Sequence, residues 1–155
     1  MTVSTSNLIG VSLGYADTSA SFNLGTAVNL DDGGQAVYVQ AASEISQYAV
    51  VAVRSDNKAV MITTTNAAST KRIGFAQVSI ASAYYGWVQL GGKVRVNVSA
   101  SCLPGVALYT TTTEGRLDDA TVSGALVAGV VTEVTASATS AMTAVAAFTM
   151  VIPVP

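Results

Sequence analysis

The sequence predicts an all-β protein: a small antiparallel β-barrel or sandwich with an extended N-terminal arm. Three observations carry this. From Ala36 onward, apolar and polar residues alternate with a period of two, the repeat of a half-buried strand. Turn signatures of Gly, Asp, Asn and Pro cut the chain into short runs at close spacing. The apolar half of the composition is mostly Ala and Val, much of the remainder is Thr and Ser, and the β-branched members favour strands.

Residues 1–35 read as an arm or irregular segment. Their apolar residues are scattered among Ser4-Thr5-Ser6-Asn7, Asp17-Thr18-Ser19 and the closing turn Asp31-Asp32-Gly33-Gly34, with no basic residue. A first strand pair around Phe22–Leu24 and Ala27–Leu30 is the alternative. The β domain then spans residues 36–155. Ala36–Gln40 is its first strand. Residues 48–64 form a hairpin about the turn Ser55-Asp56-Asn57-Lys58, and Asn66–Thr70 is a polar loop. Ile73–Ile80 is a strand with Gly74 as a candidate bulge.

Gly91-Gly92, between Tyr84–Leu90 and Lys93–Val98, fits a two-residue hairpin, because such turns need positive φ. That register sets Leu90 opposite Lys93, Trp87 opposite Val96 and Tyr85 opposite Val98. It turns Tyr85, Trp87, Gln89, Val94, Val96 and Val98 to the core, and Val88, Leu90, Lys93, Arg95 and Asn97 outward. Leu103-Pro104-Gly105-Val106 is a type II turn signature. Strands at Ala107–Thr111 and Arg116–Leu117 flank the return at Glu114-Gly115, and Asp118–Thr121 is another turn. Ala125–Thr135 and Ala144–Val151 close the fold, joined by a loop at 136–143; a helix over 136–147 is the alternative, since Ala favours it.

The chain has 155 residues, 7 basic and 9 acidic side chains, a net charge of −2, one Cys and no His; its mean hydropathy is +0.50. The length suits one domain. Disorder demands low hydrophobicity and high charge, a nucleic-acid binder usually carries a basic excess, and a disulfide scaffold needs more than one Cys. The greasiest stretch, Ala144–Val154, falls short of a membrane span and holds Thr149 and Pro153. No signal peptide is visible at Met1-Thr2-Val3-Ser4, so synthesis in a cytosol-like compartment is expected. Charged residues make up 10% of the chain, too few to cover an ordinary monomer surface, so part of that surface is expected to be buried against other chains.

Catalytic chemistry finds little to stand on. Without His the usual general base is missing, and Cys102 has no such partner, so it reads as a small buried hydrophobe. Asp31-Asp32 and Asp118-Asp119 offer oxygen ligands but lie in turns without a spaced ligand loop, and read as turn formers. Gly10-Val11-Ser12-Leu13-Gly14 matches a nucleophile-elbow pattern without the strand–turn–helix or the downstream His. Lys71-Arg72 and Lys93/Arg95 are small basic spots, either solvated or set to meet an acidic protein surface. No enzyme, cofactor or metal site is expected.

Three segments carry a resemblance: Gly33–Ala41 with Ile45–Val51, Arg72–Val78 with Tyr85–Gln89, and Pro104–Thr111 with Leu117-Asp118-Asp119. They resemble capsid cement (decoration) proteins of tailed bacteriophages, over most of residues 24–135. The resemblance implies a β-rich protein added to the outside of an assembled head, often as a homotrimer, clamping neighbouring major capsid subunits. It implies a virion location, the major capsid protein and further copies of the chain as partners, and no catalytic residues, membrane or nucleic acid. Leu8, Tyr15 and Phe22 in the arm, and the outward face Val88, Leu90, Lys93 and Arg95, are the expected contact residues. The alternatives are a receptor- or glycan-binding virion module using exposed aromatics such as Tyr15, Tyr84 and Tyr109, and a shell subunit, for which the chain is short.

Overall fold

A computed structural model describes residues 11–69, 72–121, 125–133, 135–136 and 140–152, the last segment as backbone. The fold is all-β. The chain builds two units in sequence. The first holds β1 (Ala16–Asp17), β2 (Ala27–Asn29), β3 (Gln35–Ala41), β4 (Val50–Val53), β5 (Lys58–Met61), the single helical turn α1 (Thr64–Ala67), β6 (Ile73–Ala76) and β7 (Tyr85–Gln89). The second holds β8 (Gly92–Val98), β9 (Leu108–Thr110), β10 (Leu117–Asp118), β11 (Leu126–Thr132) and β12 (Ser140–Ile152).

In the first unit the pairings run β7–β6–β4–β5–β3 and return from β3 to β7, with β1 and β2 extending the edges of β7 and β3. The predicted 48–64 hairpin is the β4–β5 pair, with Ala52 opposite Val60. The lumen is filled by Val37, Val39, Val51, Val53, Ala76 and Val88 with Ile45 and Ile80. Gly74 is no bulge. Its pairing with Val51 is in register, and a Cβ there would come within 2.9 Å of Val88 Cγ2, so the glycine makes room for a valine inside the ring. The stretch read as a polar loop begins with α1, because Thr63 and Asn66 form a capping box: Asn66 N–H donates to Thr63 Oγ1 at 3.3 Å and Thr63 N–H to Asn66 Oδ1 at 2.8 Å.

Residues 11–35 do not form a detached arm. Val11, Leu13, Val28 and Leu30 are buried against Ala36, Tyr38 and Trp87 on the outer face of β3 and β7. β1 pairs with β7, and the β2–β3 hairpin straddles the expected boundary at 35/36. The strand-pair alternative is the nearer one, although Phe22–Leu24 is not a strand. Burial explains the integration: Leu13 is fully enclosed, and detaching it would expose side chains worth about 1.5–3 kcal/mol each.

The second unit is a closed barrel in the order β10–β8–β12–β11–β9. Gly91-Gly92 is therefore a crossing between units and not a hairpin. Trp87 pairs with Tyr38, and Val96 with Met142, so the expected Trp87–Val96 register is overturned. The crossing is tight. A Cβ on Gly34 would run into the Gly91 carbonyl, and one on Gly92 would sit 2.9 Å from Gly34 Cα. The Asp32 carboxylate ties the two glycine pairs together, accepting from Gly34 N–H at 2.9 Å and Lys93 N–H at 3.4 Å. β12 replaces the helix alternative over residues 140–147 and takes in residues 140–143, which were expected to be loop. Among the described residues, β11 carries a bulge between Ala128 and Val130, where Gly129 has φ of 82°.

The second barrel's core is shared. Val94, Val96, Val98, Cys102, Leu108, Leu117, Val127 and Val130 form one buried cluster with Val50, Ala52, Ile62, Ile73 and Phe75 of the first unit. β4 and β6 are thus covered on both faces, which is why Val50–Val53 and Ile73–Ala76 are buried without interruption.

Candidate functional site

The aromatic residues concentrate where the N-terminal segment crosses the first unit. Tyr38 and Trp87 lie opposite each other on β3 and β7, with ring centroids 5.1 Å apart, and Tyr85 stacks on Tyr38 at 6.2 Å. Phe22 stands edge-on to both Tyr38 and Trp87, at 5.3 and 5.2 Å. The Tyr38 hydroxyl donates to Asp17 Oδ2 at 2.7 Å and accepts from Ser21 N–H at 3.1 Å, which pins the segment around β1 to the sheet. Burial pushes the Tyr38 phenol above its ordinary value; the Ser21 amide opposes this, and the Asp17 carboxylate adds to it. The phenol therefore stays a neutral donor at any physiological pH.

Three large aromatic side chains of the first unit reach solvent. Tyr15 is 66% exposed, Phe22 43% and Tyr84 39%. Tyr15 and Tyr84 flank the short β1–β7 ladder, whose pairs are Ala16–Gly86 and Asp17–Tyr85. Aromatic side chains with an apolar body and a polar tip are favoured anchors at protein interfaces. A second apolar spot, Leu103 with Val131, lies on the other unit; there the Thr132 hydroxyl donates to the Leu103 carbonyl at 3.0 Å.

The expected contact residues separate. Tyr15 and Phe22 are exposed, and Leu8 lies outside the described residues. Val88 is a correction: it is fully enclosed in the first lumen, because both faces of β7 are covered, and it cannot belong to an outward face. Leu90 is half-buried against the same core. Lys93 pairs with Glu133 at 3.4 Å. Arg95 lies 4.7 Å from the centre of the Tyr48 ring, while its backbone N–H and C=O exchange bonds with the Gln77 carboxamide, both at 3.2 Å. Arg95 is thus engaged at the seam between the units, whereas the Lys93 side chain pairs within the second unit. The sequence reading passed over Gln77, Tyr48 and Asp32 as seam residues. The one local trace in the backbone is the left-handed φ of Tyr48, 63°, and sequence alone does not announce it.

Cys102, Asp118 and Asp119 come together with their ligand-type atoms within 4.8 Å of one another. The carboxylates do turn work: Asp118 Oδ1 accepts from Ala120 N–H at 3.3 Å and Asp119 Oδ2 from Leu103 N–H at 3.0 Å. Burial pushes the Cys102 thiol up to about 11; the Asp119 backbone opposes this, and the two carboxylate charges reinforce it. At neutral pH the thiol is protonated, fully buried and unreactive. No known protein-family model matches the chain, and no curated protein matches it.

Proposed function

We propose that the chain is a structural virion protein that docks on the outside of a phage head and cements neighbouring major capsid subunits, as an assembly of several copies. The observation that carries this reading is the exposure of three large aromatic side chains, Tyr15, Phe22 and Tyr84, on a sparsely charged surface, where 7 basic and 9 acidic side chains share 7240 Å². The likeness of Gly33–Ala41 with Ile45–Val51, Arg72–Val78 with Tyr85–Gln89, and Pro104–Thr111 with Leu117–Asp119 to cement proteins points the same way. Phe22 is held from behind by Tyr38 and Trp87, and an anchor fixed in this way loses little entropy on docking. A protein that binds only the assembled shell stabilises it by mass action.

Deleting residues 2–20 is not a clean test, because it removes the buried Val11 and Leu13 and the β1 pairing. Point substitution is. Tyr15→Asp leaves the core alone and is expected to weaken cosedimentation with assembled heads of the cognate major capsid protein by tenfold or more, the loss typical of an interface anchor. Wild-type chain that fails to cosediment with heads would overturn the reading. Tyr15 and Tyr84 also suit a second reading, a glycan-binding virion module, since exposed tyrosines stack on sugar faces. Saturable binding on a glycan array, abolished by the same substitution, would favour it.

A further inference from the structure

A groove of about 510 Å³ opens at the far end of β4 and β6, lined by Arg54, Ser55, Asn57, Val60, Ser69 and Arg72 among others. Its walls are fixed by backbone. Val53 N–H donates to the Arg72 carbonyl at 2.9 Å, and Arg54 N–H to the Lys58 carbonyl at 2.9 Å across the β4–β5 turn. Asn57 sits at the turn with φ of 58°, its carboxamide so close over Gly25 that a Cβ there would come within 2.6 Å of it. The Asn57 Oδ1 accepts from Arg72 Nη1 at 3.4 Å and so steers that guanidinium.

Both arginines are exposed, and among the described residues neither is in an ion pair. The carboxylate in the same turn, Asp56, does not line the groove; its Oδ1 accepts from Lys58 N–H at 3.1 Å. Two guanidinium forks thus face one groove with most of their donors unused. Their planar geometry matches oxyanions, carboxylate or phosphate, in a bidentate fashion. The volume lies in the range of ligand sites and takes more than one small ion. A nucleic-acid backbone would need a longer track of cations than Arg54, Arg72 and the neighbouring Lys58 supply, on a chain of net charge −2.

We infer that this groove receives a short acidic peptide segment, Asp- or Glu-bearing, presented by a neighbouring protein. That the neighbour is the capsid subunit rests on the function proposed above; the groove's preference for carboxylates does not.

The test titrates ¹⁵N-labelled full chain with an acetylated hexaglutamate peptide at low ionic strength. The expected result is saturable shifts of the Ser55, Asn57 and Ser69 amides, with binding roughly tenfold weaker in R54Q/R72Q. Both side chains are exposed, so that variant should melt with the wild type. Absence of saturable shifts, shifts centred on Lys93 and Arg95, or equal binding by a folded R54Q/R72Q would overturn the inference. So would inorganic phosphate displacing the peptide at equal concentration, which makes the groove a small-anion site, or tighter binding of a duplex oligonucleotide. Head cosedimentation separates the two proposals. Heads that bind wild type and R54Q/R72Q alike refute the groove's role at the shell and leave the docking reading intact. Peptide binding without head binding does the reverse.

Discussion

In the first unit β4 and β6 are buried residue by residue, whereas β8 in the second alternates, with Val94, Val96 and Val98 inward and Lys93, Arg95 and Asn97 less buried. The second unit is a closed barrel, and in the first the β3–β7 pairing turns the sheet back on itself, so curvature alone does not explain the contrast. The difference is what lies outside each unit. β3 and β7 are overlaid by residues 11–30, and β4 and β6 by the second barrel's core, so the first unit is the middle layer of the molecule. The second barrel has polar and charged residues outside and borrows part of its filling from Phe75, Ile73 and Ile62. The comparison teaches that one unit is enclosed and the other is completed by its neighbour.

The largest expected effect breaks that sharing. Phe75 is fully buried in the joint core, and Phe75→Ala should cost about 3–5 kcal/mol by the loss of transfer energy and the cavity left. Denaturant unfolding would read the loss. Hydrogen exchange should show β8 and β11 losing protection together with β4 and β6; protection lost in the first unit alone would mean that the second barrel is filled independently.

A smaller effect is expected at the crossing. Gly34→Ala places a methyl against the Gly91 carbonyl and should destabilise by about 1–3 kcal/mol, the usual range for overpacking. Its signature is faster exchange at the Leu90 and Lys93 amides, which donate to the Gln35 carbonyl and Asp32. An unchanged unfolding midpoint would show that the two units separate there without cost.

The smallest effect sharpens the comparison from the second side. Because burial raises the Cys102 thiol from an ordinary 9.0 to about 11, the unfolded chain sheds that proton first. The contribution to stability is complete below pH 9 and is lost as pH climbs from about 9 to about 11, since the unfolded state then binds fewer protons. In urea melts across this range, wild type should lose stability relative to Cys102→Ala; parallel curves would show that the thiol is solvated in the native state.

How much of this was legible follows from the same contrast. The alternation of β8 gave its inward valines correctly, because one side of that strand meets the core and the other does not. β7 misled, because Trp87 and Val88 are both buried, in different cores, and no period of two survives on a doubly covered strand. The Gly91-Gly92 pair carried the right local chemistry, positive φ at Gly92, but the wrong topology, since a left-handed glycine serves a crossing as well as a hairpin. Of the expected contact residues, Tyr15 and Phe22 were legible as large rings in a polar segment. The Arg54–Arg72 groove was half visible as the Lys71-Arg72 spot. Its other half needed the β4–β6 pairing, which joins residues 21 to 25 apart in the chain and leaves no local trace in the sequence.

The order of the strands along the chain carries one more consequence. β1 to β7 all belong to the first unit and β8 to β12 all to the second. During synthesis the ribosome therefore finishes one ring about 60 residues ahead of the other, a lag of roughly 3–12 s at ordinary translation speeds. Through that interval the nascent polypeptide displays Ile73 and Phe75 with nothing over them, and it is then that a chaperone has most to shield.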